Sequence, residues 1–323
     1  MNSPTIAAVL QGMRLVAENV ISLELRAADS TFALPPFEPG AHIDLHLPNG
    51  LVRSYSLTNP GAAPDCYQVA VLHDRNSRGG SRHIHEQLRV GTPLGISAPR
   101  NLFKLNEDAE HSFLLAGGIG ITPLYAMVQR LAQLGRSADL VVCARNRGQL
   151  SFLKELQALV SPQLRLHLHL DEEAGGPPDL RALLGAHGPD THFYCCGPHP
   201  MLQAFEDTCA ALNLPHVHLE RFAAAPTAAA PMAAPRTYTV RLQKSGQVLE
   251  VSTARPLLDS LLAAGVDAGH SCREGICGAC ETPVLEGEID HRDSILSQAE
   301  RDANRSMMVC VSHCRSAHLV LDL

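Results

Sequence analysis

Four cysteines limit what this chain can fold into more than any other feature. Cys272, Cys277 and Cys280 follow C-x4-C-x2-C, and Cys310 stands thirty positions after the third. Three thiolates on one tight loop can grip a small inorganic core from one side, while the fourth arrives from a distant segment. That spacing is the one that holds a 2Fe–2S centre. Gly275, Gly278 and Ala279 keep bulk out of the loop. Backbone N–H groups can then point at the sulfurs and stabilise their negative charge. A zinc site is the competing reading, but structural zinc prefers paired C-x2–4-C knuckles completed by His or Cys. The chain has ten cysteines. Met1 to Val20 lacks a basic segment followed by an apolar core, so no signal peptide is expected, and the thiols are expected to serve metal or redox chemistry rather than disulfides. Cys314 is a surplus thiol, and Cys66, Cys143 and Cys209 read as small buried apolar residues.

The segment Ala223 to Pro235, AAAPTAAAPMAAP, divides the 323 residues into a long front part and a short tail. Proline breaks helix and sheet, and alanine offers little to bury, so the segment reads as a semi-rigid tether. The first hundred residues show short alternating runs separated by Pro, Gly and Asn turns, interrupted by one helical stretch near Arg82 to Arg89. They predict a small antiparallel barrel with a capping helix. From about Ser112 the rhythm becomes strand and helix in alternation, which predicts a parallel, doubly wound sheet. The expected boundaries are 1–105, 106–225, a linker at 226–235, and 236–323. Apolar residues make up 45% and charged residues 18%, an ordinary globular balance. Net charge is −7 and no basic run occurs, which argues against a nucleic-acid surface. No apolar stretch reaches the ~18 residues of a membrane span.

Three further groups of residues carry chemistry. Arg53-Ser54-Tyr55-Ser56-Leu57 lies on a predicted strand. Asn76-Ser77-Arg78-Gly79-Gly80-Ser81 runs directly into the predicted helix. Two glycines and a serine expose backbone donors at its positive end, which suits a phosphate, and Arg78 adds charge. Ala116-Gly117-Gly118-Ile119-Gly120-Ile121-Thr122-Pro123 follows an apolar strand and opens a helix. Gly118 and Gly120 let a diphosphate approach the backbone, and Pro123 sits in a first helical turn, where its missing N–H costs nothing. Cys196-Gly197-Pro198 closes a later strand, with Cys195 on the opposite face. Arg145-Asn146-Arg147 follows the second strand of this sheet. The pairs His167/His169 and His216/His218 alternate along strands and are assigned no metal.

Together these segments resemble the phthalate dioxygenase reductase family, and within it the reductase subunits of vanillate O-demethylase-type systems. The resemblance covers essentially the whole chain. It implies a multidomain fold: an antiparallel β-barrel of the ferredoxin reductase type, an α/β nucleotide domain, and an α+β β-grasp ferredoxin of the plant type. It places Arg53, Arg78, Gly79, Gly80 and Ser81 at a flavin phosphate, FMN being expected over FAD. Ser54, Tyr55 and Ser56 would lie beside the ring, with the Ser56 hydroxyl near the reactive N5 and Val69, Ala70 and Val71 against the ring edge. Gly118, Gly120, Ile121, Thr122 and Pro123 would bind the pyridine nucleotide. Cys196, Gly197 and Pro198 would adjoin the nicotinamide, and Phe222, after Glu220-Arg221, would stack on the flavin. With Arg145 beyond the second strand, NADH is the expected donor. Electrons would pass from NADH through FMN and the 2Fe–2S cluster to a separate Rieske-type terminal oxygenase. A monomer in the cytoplasm is expected. The alternatives are a ferredoxin-type carrier and a stand-alone NAD(P)H oxidoreductase.

Overall fold

The computed structural model describes residues 5–75, 77–224 and 234–323. Positions 226–233 of the expected linker, and Asn76, lie outside them. The chain forms two compact units, Thr5–Phe222 and a second within Ala223–Leu323.

The first unit begins with β1 (Ile6–Ala17), β2 (Val20–Ala27), β3 (Ala41–His46), β4 (Val52–Ser56) and β5 (Tyr67–Leu72). Helix α1 (Gly80–Gln87), β6 (Pro93–Ile96) and β7 (Arg100–Asn101) complete it. The strands pair antiparallel in the order β4-β3-β6-β1-β2-β5, with β7 on β3. Alternation along the strands buries Leu10, Leu23, Leu25, Ile43, Leu45, Val69 and Val71 in one core. A bridge between Leu57 and Val69 returns β5 to the end of β4 and curls the sheet into a barrel. Beneath β4 lies a buried polar group. Asp44 accepts from Ser54 Oγ at 2.6 Å and from Arg100 Nη2 at 2.8 Å, and Ser97 Oγ accepts the Asp44 amide. The charge is paired and hydrogen-bonded, the condition for burying a carboxylate.

A parallel sheet follows, built from β8 (His111–Gly117), α2 (Ile121–Leu134), β9 (Ser137–Ala144), α3 (Leu153–Leu159) and β10 (Leu164–Leu170). After α4 (Asp171–Ala174) and α5 (Leu180–Gly185) come β11 (Thr191–Cys196), α6 (His199–Ala211) and β12 (Val217–Glu220). The strand order is β10-β9-β8-β11-β12. Helices α2 and α3 bury one face through Leu124, Met127, Leu131 and Leu156. Helices α5 and α6 bury the other through Leu184, Leu202 and Phe205. Val20, Ala70 and Phe103 belong to the same apolar cluster as α2, so barrel and sheet share a core. Strand β5 packs on the turn Gly118–Gly120.

The second unit contains β13 (Thr237–Leu242), β14 (Val248–Ser252), α7 (Leu257–Ala263), β15 (Glu281–Glu286) and β16 (Ile289–Asp290). It ends with α8 (Gln298–Ala303), β17 (Ser306–Met308), β18 (His313–Cys314) and β19 (His318–Leu321). Its main sheet runs β14-β13-β19-β15-β17. The parallel β13–β19 pair stands between antiparallel neighbours, and α7 packs on it through Leu257, Leu258 and Leu261. This is the β-grasp arrangement. The Leu258 amide donates to Val309 O at 2.9 Å, which ties the helix to the residue before Cys310. Among the described residues no helix is long and apolar enough to cross a membrane.

Candidate functional site

The barrel is open along one seam. Strand β4 pairs with β3, and β5 pairs with β2. Past the Leu57–Val69 bridge no ladder joins β4 to β5 among the described residues. Leu47 N–H donates to Leu51 O and Leu57 N–H to Ala41 O, both at 2.8 Å. Antiparallel alternation then turns the main-chain groups of Arg53 and Tyr55 toward β3, and those of Val52 and Ser54 toward the seam. On β5 the same rule turns Leu72 toward it. An edge of main-chain donors and acceptors outside any ladder suits a flat heteroaromatic ring. Tyr55 stands half-buried here, and burial raises its phenol well above the usual value. Ser56 is buried. Val69 and Val71 point into the barrel core and turn their main chain to Leu23 and Ile21 of β2, with Val71 O also accepting from His85 Nε2 at 2.9 Å, so of the three only Ala70 turns its main chain toward β4.

The start of α1 closes one end of the seam. Arg53 lies against it: a Cβ on Gly80 would fall 2.7 Å from Arg53 Cγ. Arg53 also donates to Val52 O at 2.8 Å and to Arg78 O at 3.3 Å. The Gly79 and Arg82 amides both donate to Ser77 Oγ at 3.2 Å, and Ser81 Oγ donates to the same oxygen at 2.9 Å. Ser77 therefore takes the Gly79 amide, and the Gly80 and Ser81 amides remain at the positive end of the helix beside a guanidinium. That donor set fits a phosphate.

The glycine turn and the Cys196-Gly197-Pro198 loop touch. A Cβ on Gly120 would sit 2.2 Å from Cys196 O, and one on Gly197 would sit 3.1 Å from Gly117 Cα. The missing side chain at Gly120 thus serves the packing of two loops. Gly118 has φ +55 and open space beside it, so it faces outward from the turn. Ile121, Thr122 and Pro123 are buried in the first turn of α2 and offer only backbone. Both loops lie at the carboxyl ends of parallel strands, where nucleotides bind in open α/β sheets. Cys196 is fully buried, and desolvation pushes its thiol well up; Cys195 lies in the cluster on the opposite face. Phe222 is 40% exposed at the end of the unit. Arg145 is exposed at the end of β9, with its carbonyl accepting the Glu172 amide at 3.1 Å. Arg147 is held by Glu173 at 3.0 Å.

Glu220 pairs with Cys196 across the β11–β12 ladder. Its Oε2 is buried without a hydrogen-bond partner, and desolvation pushes the carboxyl up to about 8. The ordinary value is 4.5. Between the two values the native chain keeps a proton that the unfolded chain releases, so stability falls as pH rises through this window. Glu220→Gln removes the penalty. Its unfolding free energy is expected to match the parent's near pH 4.5 and to exceed it progressively up to pH 8, by roughly 2–4 kcal/mol at the upper end. Thermal unfolding across that pH range checks this; a constant difference would contradict it.

In the second unit the four thiols converge. Cys280 Sγ and Cys310 Sγ are 3.1 Å apart, and the Cys272 amide donates to Cys277 Sγ at 3.4 Å. The Glu274 amide donates to Cys272 Sγ at 3.3 Å. Hydrogen bonding from the Cys277 thiol, then from the loop amides, brings Cys272 down to about 6, and the Cys280 thiol lowers Cys310. Four clustered sulfurs, with main-chain N–H groups donating to Cys272 and Cys277, fit an iron–sulfur core. Cys314 lies elsewhere, hydrogen-bonded to Ser316 Oγ at 3.0 Å.

Two groups of histidines sit in the parallel sheet. His192 stacks on His216 at 4.3 Å and on His218 at 5.3 Å, with rings within 10° of parallel. His111 and His187 stack at 5.1 Å beside Asp139, which Arg165 holds. His111 Nε2 and His187 Nε2 lie 3.4 and 3.9 Å from the same Asp139 oxygen, and Arg165 donates to both oxygens of that carboxylate. His169 donates to Gly176 O at 2.8 Å.

Residues 240–315 match the model of the 2Fe-2S iron-sulfur cluster binding domain, and residues 114–207 that of the oxidoreductase NAD-binding domain. A putative toluene-4-sulfonate monooxygenase system reductase subunit of Comamonas testosteroni is 49% identical, with 99% of this chain and 98% of that protein covered. Tetrachlorobenzoquinone reductase of Sphingobium chlorophenolicum is 46% identical over 99% and 98%. A vanillate O-demethylase oxidoreductase of a Pseudomonas strain is 43% identical over 98% and 100%. Among solved structures, phthalate dioxygenase reductase superposes with TM-score 0.69 at 35% identity, covering 99% of this chain and 98% of that one. A type IV self-sufficient cytochrome P450 monooxygenase superposes at 0.89 with 36% identity; this chain covers 41% of that longer one and is itself covered to 99%. Fold and site define an NAD-linked oxidoreductase of the ferredoxin reductase type with its own 2Fe–2S module. The chain belongs to the phthalate dioxygenase reductase family, whose relatives include reductase subunits of oxygenase systems.

Ser77 and Glu220 are the site residues that sequence reasoning did not single out. Ser77 stood inside that loop motif, but two residues before the N-cap Gly79, outside the usual place of a capping hydroxyl. Glu220 stood inside Glu220-Arg221-Phe222, but only the fold reveals that its strand buries it against Cys196.

Proposed function

We propose that this protein supplies electrons to a Rieske-type terminal oxygenase, drawing them from NADH through FMN and the 2Fe–2S cluster. In this reading residues 1–105 hold the flavin, 106–225 the nucleotide and 236–323 the cluster, and the protein works as a cytoplasmic monomer. The observation that carries it is the order of three sites on one chain: an open barrel seam with a phosphate cradle, a glycine turn meeting a Cys-Gly-Pro loop, and four converging thiols. Bound flavin supplies the conversion of a hydride donor into single-electron delivery. The chain's residues position the partners. Arg53 and the Gly80 and Ser81 amides hold a single phosphate group, which favours FMN. Gly118 admits the nucleotide diphosphate, Gly120 lets the Cys196-Gly197-Pro198 loop close against the turn so that its outer main chain walls the nicotinamide side, and Phe222 covers the flavin until nicotinamide arrives.

The acidic start of α4 supports NADH. Glu173 takes up Arg147, and Glu172 stands beside Asn146 at 3.3 Å, so a 2′-phosphate would meet carboxylates. Replacing Glu172 and Glu173 by alanine is expected to raise kcat/KM for NADPH by about tenfold, the equivalent of one removed charge contact of ~1.4 kcal/mol. Steady-state kinetics with both nucleotides check this. Heating the purified protein tests the flavin: released FMN supports the reading and released FAD overturns it.

A second reading has one specific support, the relative named for reduction of a quinone. Rapid NADH-driven reduction of a small quinone without any oxygenase would favour it.

A further inference from the structure

The cluster loop rests on a segment that the motifs do not include. Gly275, between Cys272 and Cys277, has φ +68, a backbone state that suits glycine. Its amide faces the sulfurs of both Cys272 and Cys310, and its carbonyl accepts the Ser294 amide at 3.0 Å. One peptide unit therefore links the loop ligands to the distant fourth ligand. There is no spare room around it. A Cβ on Gly275 would lie 2.7 Å from Val311 Cγ2 and 3.0 Å from Asp293 Cα.

Asp293 shapes the segment that presses on Gly275. Its carboxylate is wholly buried and accepts the Leu296 amide at 2.8 Å and the Ile295 amide at 3.2 Å, which closes a tight turn around Ser294. Arg301, on α8, donates to Asp293 O at 2.6 Å. Helix α8 is itself fixed by a capping box of Ser297 and Glu300. The other carboxylate oxygen, Oδ1, has no hydrogen-bond partner and lies 3.7 Å from His291 Nδ1. A buried carboxylate with one unsatisfied oxygen is costly, and here it stands directly behind the loop that receives the metal.

We propose that Asp293 is a positioning residue for the iron–sulfur centre: its capped turn presents the Ser294 amide to the Gly275 carbonyl and so aims the Gly275 N–H at the cluster's cysteine sulfurs. It acts through Gly275 and touches none of the reacting atoms. The inference rests on the cluster reading of the four cysteines; a parent protein without a 2Fe–2S spectrum would count against that reading and leave Asp293 aside.

The test uses the full-length protein with its cofactors and two variants. Asp293→Asn keeps an acceptor oxygen for the Ile295 and Leu296 amides, whereas Asp293→Ala removes it. In the alanine variant the EPR g-values of the reduced cluster are expected to shift, and chelator-driven loss of iron to accelerate by about tenfold or more, the usual scale for groups that orient metal ligands. Asparagine is expected to restore both readouts. NADH–ferricyanide reduction, which runs through the first unit, is expected to stay at the parent rate in both. A merely structural role would lower Tm without moving the g-values. An alanine variant with the parent's EPR spectrum and iron-release rate would overturn the proposal. So would an asparagine variant as impaired as alanine, and this second arm decides the matter if the alanine protein fails to take up iron.

Discussion

Replacing Cys310 by serine is expected to abolish the iron–sulfur centre while leaving the flavin half working. Cys310 is the one ligand outside the short loop, and its sulfur lies 3.1 Å from Cys280 Sγ. Serine cannot supply a thiolate there, and three ligands on one loop do not enclose a two-iron core. The visible absorption and the EPR signal of the cluster should vanish. NADH-dependent reduction of a dye that takes electrons from flavin should stay within about twofold of the parent, because cofactors carry that chemistry and the residues that hold them belong to the other unit. Transfer to the oxygenase should drop to background. Loss of dye reduction in a folded, flavin-loaded variant would contradict a modular electron path.

The second large effect concerns the first unit alone. A fragment ending at Ala225 is expected to fold, since Thr5–Phe222 is compact and its barrel and sheet share one apolar core. It should oxidise NADH with ferricyanide near the intact rate, yet support no oxygenase turnover. Adding the separate second unit at micromolar concentration should restore only a small part, because a short linker supplies an effective concentration of roughly millimolar. Turnover assays with fragment, mixture and whole chain give the answer. A fragment that drives the oxygenase as well as the whole protein would show that the cluster is not the exit for electrons.

Much of this architecture could be read from residue order. The alternating segments Leu164–Leu170 and Val217–Glu220 belong to the strand-and-helix rhythm expected after Ser112 and form strands with those bounds. They are the two edges of the parallel sheet, and apolar residues alternate there with Arg, His and Glu, the period of a half-buried strand. Helix α1 was expected at Arg82–Arg89 and spans Gly80–Gln87. Glycine argues against helix, but Arg53 occupies the space a Cβ would take at Gly80, and Ser77 caps the amides ahead of it. Strands β7, β16 and β18 escaped notice because two residues carry no period; they exist through their partners. The same division runs through the site. Glycines, thiols and the Arg53–Ser56 run announced themselves by spacing. Their internal commitments did not: the Ser54 hydroxyl goes to Asp44, Arg147 goes to Glu173, and Gly120 makes room for the Cys196 carbonyl. Those depend on which strands become neighbours, and no local pattern states that.

The gap between β4 and β5 has a consequence for how the protein is made. Until flavin arrives, Val52 and Ser54 on one side and Leu72 on the other present backbone with no ladder partner. Such an edge is a template for any passing strand, including the same strand of another copy. A flavin ring seated along this seam would shield that edge as well as carry the chemistry. Cells short of flavin would then yield clumped protein rather than a soluble, colourless one, and supplementing riboflavin during expression would raise the soluble yield before it raised the specific activity.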